Sequence, residues 1–284
     1  MSIPTLVLIL VLFSAGLHAT WNLLVKSGED KLIATWLTVL APPILLWPLL
    51  FFTGLPPEPA WPMLFGSGFV HAGYNIALAH AYEHGDLSVV YPVARGLSPL
   101  LIGAGAPFLL SEQLSPVAIG AILLVGGGIA WLGLSARRSS TRRSGLGWAV
   151  LTAIFTATYS MVDKAGVMRS NPLAYVLTVF AWDAVVMTPY VFSRRGLRRT
   201  REVWRDNKGP LVWSGLLSLA AYLLVLIAMR LTQVSYVATL RESSVIFGAI
   251  LGWRVLGDRL GGQRVVASAI VTLGLILLAT AMHR

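Results

Sequence analysis

Residues 18–28 read HATWNLLVKSG, inside the first long apolar run of the chain; 138 residues later, residues 156–166 read TATYSMVDKAG. The two stretches align without a gap. Ala19 meets Ala157, Thr20 meets Thr158, Lys26 meets Lys164 and Gly28 meets Gly166, with Trp21 opposite Tyr159. Polar and ionisable groups inside a membrane-length run are costly and default to functional candidates. The echo indicates a chain built from two related halves.

Composition sets the environment. Apolar residues make up 56% of the chain, charged residues 12%, and the mean hydropathy is +0.74. Soluble domains carry about a quarter of their residues as Asp, Glu, Lys and Arg, so most of this surface faces something other than water. The formal net charge of +10 is concentrated between the apolar runs, as membrane topology demands, and does not indicate nucleic-acid binding. The absence of cysteine excludes disulfides, thiolate metal sites and cysteine nucleophiles. The opening run from Pro4 to Val25 has no basic leader and is span-length, so it reads as a retained first helix.

About 20 apolar residues span a bilayer. The pattern predicts ten helices at 4–26, 32–53, 61–82, 88–110, 116–136, 146–166, 172–193, 209–231, 235–256 and 262–282. Breakers separate them: GLPPEP at 54–59, ARRSSTRRSG at 136–145 and SRRGLRRTREVWRDNKG at 193–209. The fourth run carries Pro92, Pro99 and Pro107 with Gly96, Gly103 and Gly105 between them, the pattern of a kinked or broken span.

The echo extends to the ends of the two halves. FLLSEQLS (108–115) corresponds to RVLGDRLG (254–261), placing Glu112 opposite Asp258, and Arg95 and Arg241 fall at equivalent places upstream. The units are 4–136 and 146–282, joined by a basic linker at 137–145. Five spans is an odd number, so the second unit is inverted relative to the first. Inverted repeats hold substrate near the midplane between them. Sixteen basic residues lie in the odd-numbered connections and four in the even-numbered ones and the C-terminus. The positive-inside rule then puts the 137–143 and 194–208 segments in the cytoplasm and both termini outside.

Ten spans, two inverted five-span units and the paired SEQLS and GDRLG segments resemble the EamA-type members of the drug/metabolite transporter superfamily, over nearly the whole chain. The resemblance implies an all-α secondary transporter, usually an exporter of small metabolites or amino acids, in a plasma or inner membrane, with a central cavity between the repeats. It also implies cytoplasmic termini, opposite to the charge count.

The polar residues of the spans give the candidate site. His18, Asn22 and Lys26 follow one another at i, i+4, i+8 and with Trp21 form one face of the first helix. Thr156, Tyr159, Ser160 and Asp163 form the equivalent face of the sixth. His71, Tyr74, Asn75 and Tyr82 make a stripe on the third. These faces line a cavity or a polar seam between helices. Tyr222 sits comparably on the eighth. Arg95 and Arg241 are permanently charged forks that match carboxylate or phosphate. They either clamp an anion or pair internally with Glu242, Asp183 or Glu83. The expected pocket is therefore Arg95, Arg241, His18, Trp21, Asn22, Tyr74, Asn75 and Tyr159. Asp183 and Glu242 are the proton-coupling candidates, because a carboxylate in low dielectric can take up a proton near neutral pH. Glu83 and Asp86 read as a solvated turn, and Asp163 as close to a helix end.

HAYEH (80–84) matches an H-x-x-E-H zinc pattern, but no downstream carboxylate supplies a third ligand, and it reads as an interfacial cluster; no metal or cofactor is expected. Gly248 and Gly252 read as close helix packing. There is no G-x-x-x-x-G-K loop, which argues against ATP hydrolysis. The expected partners are a small polar, anionic substrate and the lipid bilayer, with a monomer sufficient and a homodimer allowed. The rival readings are a non-transporting membrane sensor or scaffold, and an intramembrane zinc hydrolase.

Overall fold

The computed structural model describes residues 2–27, 30–85, 87–135, 143–247 and 262–282. Among these residues the chain is helical throughout, with no strand. The helices are α1 (Ile3–Ser27), α2 (Lys31–Leu46), α3 (Trp61–His84), α4 (Leu87–Leu109), α5 (Pro116–Ser135), α6 (Arg143–Val167), α7 (Pro172–Leu231), α8 (Val234–Arg241) and α9 (Gly262–Met282). Shorter turns at Trp47–Leu49 and Leu50–Thr53 extend α2 toward GLPPEP. The segments 3–22, 31–53, 89–109, 145–167 and 172–231 are long and apolar enough to cross a membrane, and 116–132 and 266–282 are shorter apolar helices. This is a multi-pass, all-α membrane protein.

Local chemistry sets the ends. Asp30 accepts from the backbone N–H groups of Leu32 and Ile33, both at 3.1 Å, and so caps α2. Asn171 does the same for Leu173 and Ala174, with Pro172 at the first helical position of α7. Glu112, the acid of SEQLS, reaches across the fold. It accepts from the N–H of Val234 and from the N–H and hydroxyl of Ser235, capping α8.

Two elements depart from expectation. The fourth span is not broken: α4 runs unbroken through Pro92, Pro99 and Pro107. Its glycines serve packing instead. A Cβ on Gly96 would lie 2.5 Å from the Ala130 nitrogen and 2.7 Å from the Gly126 oxygen, so α4 and α5 touch backbone to backbone. An interruption lies instead in the ninth run, where α8 stops at Arg241, Glu242 keeps helical angles (φ −68°, ψ −12°) outside the α pattern, and helix resumes at 243–247. Meanwhile the seventh and eighth runs are continuous in α7 except at Gly196 (φ 73°) and Asn207 (φ −130°). Sixty residues of straight helix would be about 90 Å long, three times a hydrocarbon core; Gly196, in the left-handed region open to glycine, is where the chain turns.

Packing crosses the two halves of the sequence. α7 lies along α1 and α2, α3 lies along α6, α4 lies against both α5 and α6, and α5 lies against α9. Expectations about Asp86, the linker at 137–142, the 254–261 segment, Gly248 and Gly252, and the Lys26 side chain fall outside the described residues.

Candidate functional site

One polar cavity lies where these helices meet, with an empty volume of about 550 Å³ including its open side. Helical spacing supplies its walls: Ser14, His18 and Trp21 from α1, His71, Tyr74 and Asn75 from α3, and Ser218, Ala221, Tyr222 and Val225 from α7. Thr35, Thr38 and Val39 of α2, Tyr159 of α6, Phe180 of α7 and Arg241 of α8 complete it. Six of the eight expected pocket residues therefore share one cavity: His18, Trp21, Tyr74, Asn75, Tyr159 and Arg241.

The other two stand behind the wall. Asn22 donates to the His18 carbonyl at 2.8 Å and so turns back on its own helix. Arg95 is buried and internally neutralised. Its guanidinium meets Glu242 at 3.1 and 3.2 Å, the Ser244 hydroxyl at 3.1 Å and the Arg241 carbonyl at 3.2 Å. Here the two arginines do not form a symmetrical clamp. Glu242 meets Arg95, while its chain neighbour Arg241 lines the cavity.

Arg241 is 8% exposed, and its guanidinium carbon lies 5.7 Å from the centre of the Tyr222 ring. Among the described residues no carboxylate lies within 4.0 Å of this guanidinium, and no hydrogen bond from it to protein is present. A buried cation without an anion is costly; here the aromatic face partly offsets that cost and leaves the fork free toward the cavity.

The remaining surface is aromatic. His71 stacks on Tyr159 with centroids 3.9 Å apart, and Tyr74 and Tyr222 meet Tyr159 edge-on at 5.5 and 6.0 Å. Trp21 donates its indole N–H to His18 Nδ1 at 3.2 Å, fixing both rings.

Behind this cage is a carboxylate hub. Asp163 lies in the last turns of α6, near the helix end as expected, and is fully buried there. One oxygen accepts from the Tyr175 hydroxyl at 2.9 Å; the other meets the Tyr222 hydroxyl and, at 3.1 Å, His71 Nε2. Gly166 makes this possible, since a Cβ there would lie 2.3 Å from the Tyr175 hydroxyl. Lys164 turns away to the carbonyls of Met229 and Thr232. The signal for Asp163 was in the alignment, where it stands opposite Val25. Asp183 lies behind Asn75, which donates to it at 2.8 Å; its other oxygen has no partner among the described residues.

Glu83 is held by Arg195 at 2.6 Å, and Arg195 also holds Asp30 at 2.7 Å. His80, Glu83 and His84 bring ligand atoms within 4.8 Å of one another. The Arg195 contact to Glu83, and a 2.6 Å hydrogen bond between His80 Nε2 and Tyr190, already engage two of the three.

Residues 143–280 match the EamA-like transporter family. A Sinorhizobium sp. protein described as an uncharacterized transporter in the cobO 3′ region is 28% identical over 132 residues, 46% of this chain and 94% of its own length. Residues 143–280 are thus similar to the EamA type of the drug/metabolite transporter superfamily. A solved crystal structure covers 98% of both chains with a TM-score of 0.77 at 21% identity, a likeness of fold alone. The matched domain and the transporter-named relative together make this a membrane transporter, with a small-molecule substrate and a bilayer as its partners.

Proposed function

We propose that this EamA-type protein is a secondary transporter, not an enzyme, that carries a small metabolite bearing one anionic group and an apolar or aromatic body. Amino acids, organic acids and phosph(on)ates with such a body form the cargo class. The observation that carries this reading is Arg241: a buried guanidinium at the cavity wall, without a carboxylate partner among the described residues, in a cage of Trp21, Tyr74, Tyr159 and Tyr222. Carboxylate, phosphate and sulfonate suit the fork; the rings suit the body.

Ten spans in two inverted five-helix repeats, 4–136 and 146–282, fit the packing. The pairing of the first helix with the eighth run inside α7 has its counterpart in the pairing of α6 with α3, and α5 with α9 maps onto itself. A relative of about half this length, aligned over nearly all of itself, fits a repeat unit. Alternating access then consists of one repeat rocking against the other about the cavity. The Arg95–Glu242 pair joins the fourth and ninth runs across the repeats. Export is the direction the family resemblance favours. An inner membrane, basic segments 137–143 and 194–208 in the cytoplasm and a monomer complete the reading.

The test is the thermal stability of purified protein against a metabolite panel, because a ligand of the folded state stabilises it by mass action. Anions with aromatic or apolar bodies should stabilise wild type and leave Arg241→Gln unmoved. Stabilisation by amines or neutral aromatics alone, equal in both proteins, would overturn the anion site.

A further inference from the structure

The hub behind Arg241 contains a histidine whose second nitrogen is unused. Asp163 accepts from the hydroxyls of Tyr175 and Tyr222. A carboxylate is acceptor-only, so its third contact, His71 Nε2, is the donor. The neutral ring then carries its lone pair on Nδ1. His71 lines the cavity, and Nδ1 has no hydrogen-bond partner among the described residues.

Tyr222 joins this pair to the anion site. Its hydroxyl bonds Asp163, its face lies under Arg241, and its ring meets the His71 ring edge-on at 5.4 Å. We propose, resting on the anion site at Arg241, that the His71–Asp163 pair is a proton site. One proton enters at His71 Nδ1 as the anion binds, and the two cross the membrane together.

The proton balance is simple. A hydronium reaching the cavity gives its proton to Nδ1 and leaves water; Nε2–H keeps its bond to Asp163; the imidazolium later returns the Nδ1 proton to water on the other side, forming hydronium there. The charged ring is compensated by Asp163 and stacks on the π-face of Tyr159. Imidazolium and Arg241, both beside Tyr222, repel each other, and an anion bound in the cavity they share relieves the repulsion. Anion and proton therefore favour each other's binding, reciprocally.

The other charged and titratable groups around His71 are accounted for by element. α6 presents Asp163 and Tyr159; α7 presents Tyr175, Tyr222 and, behind Asn75, Asp183. α8 presents Arg241, α1 presents His18, and α3 itself presents Tyr74. α4 contributes Tyr91 and the neutralised Arg95, while α2 offers only hydroxyls to the cavity. His18 differs from His71 in that its Nδ1 already accepts from Trp21.

The experiment is titration calorimetry of the whole protein in detergent with phenylacetate, in two buffers of different ionisation heat at each of several pH values. Above about pH 5.5 this carboxylate stays ionised, so it contributes no proton of its own. Wild type should take up close to one proton per phenylacetate, with Kd tightening by up to about tenfold per unit fall in pH. In His71→Gln, whose amide keeps the donor to Asp163, uptake should fall below about a quarter of a proton, while His84→Gln, outside the cavity lining, retains it. Arg241-dependent binding without proton uptake would overturn the proton site and leave the anion site standing. Uptake that survives His71→Gln, or that is lost equally in His84→Gln, would also overturn it. Failure of wild type to bind phenylacetate and the other panel anions would remove both.

Discussion

The first and sixth helices carry the same sequence echo and do opposite work. On α1, Val25 is a buried apolar residue at the end of HATWNLLV. On α6, the aligned Asp163 is a carboxylate with no exposure, held by two tyrosines and a histidine. Trp21 and Tyr159 both line the cavity from matching positions. At these aligned positions an apolar residue stands opposite an acid, and that difference distinguishes the two helices electrically. The most instructive positions in two echoing stretches are those where they disagree in charge.

The strongest way to break this difference is to erase it. Asp163→Val puts the residue of α1 into α6 and strips three donors of their acceptor. Buried polar groups left unpaired cost about 1–3 kcal/mol each, so a loss of about 3–5 kcal/mol is expected, read as a large fall in unfolding temperature in detergent. Unfolding at the wild-type temperature would show that the hub contributes nothing to the fold.

Sequence alone reached the all-α membrane character and half of the cavity wall, for reasons of periodicity. Polar residues at i, i+3 and i+4 share a face whatever that face meets, so His18, Trp21, Tyr74, Asn75 and Tyr159 were legible. Ionic partnership was not. Arg95 finds its partner in Glu242, 147 residues away, and nothing local distinguishes it from Arg241. The helix break was also misplaced. Prolines drew attention to the fourth run, whereas the interruption lies at Glu242, in a stretch without proline. Asp163 does lie near the end of its helix, but its burial was not legible: the neighbouring Lys164 goes to carbonyls and the aspartate goes inward to partners on other helices.

The two arginines offer the next comparison. Arg95→Gln should cost about 3 kcal/mol, because Glu242 is left charged and buried, and adding Glu242→Gln should restore most of that stability. Arg241→Gln should change stability by no more than about 1 kcal/mol and abolish anion-induced stabilisation. Thermal unfolding of the four proteins, with and without phenylacetate, separates a partner in an ion pair from a ligand-facing cation. Equal costs for the two single variants would mean that Arg241 is also structurally engaged.

Glycines sharpen the contrast at smaller scale. Gly166→Ala drives a methyl toward the Tyr175 hydroxyl and should cost about 1–3 kcal/mol through overpacking. Gly16→Ala on α1 meets nothing within 4 Å and should be neutral or stabilise by about 0.5–1 kcal/mol, since alanine favours helix. Unfolding temperatures moving in opposite directions are the expected outcome; two shifts of the same sign would show that the close approach to Tyr175 is not what α6 requires of its glycine.

Tyr222→Phe is the smallest change and the most selective. It removes a single hydroxyl from Asp163 and keeps the ring under Arg241. Asp163 retains Tyr175 and His71 as donors, so the stability loss should be about 1 kcal/mol, the net worth of one hydrogen bond. The anion should still bind, because both the guanidinium and the aromatic face beneath it remain. If Tyr222 joins the two sites only through its ring, proton uptake on phenylacetate binding also persists in this variant. If uptake is lost while binding is kept, the hydroxyl is the link, because without it Asp163 no longer holds the His71 ring in the orientation that turns Nδ1 to the cavity. Calorimetry of this one variant therefore decides whether coupling between cation and carboxylate runs through charge or through orientation.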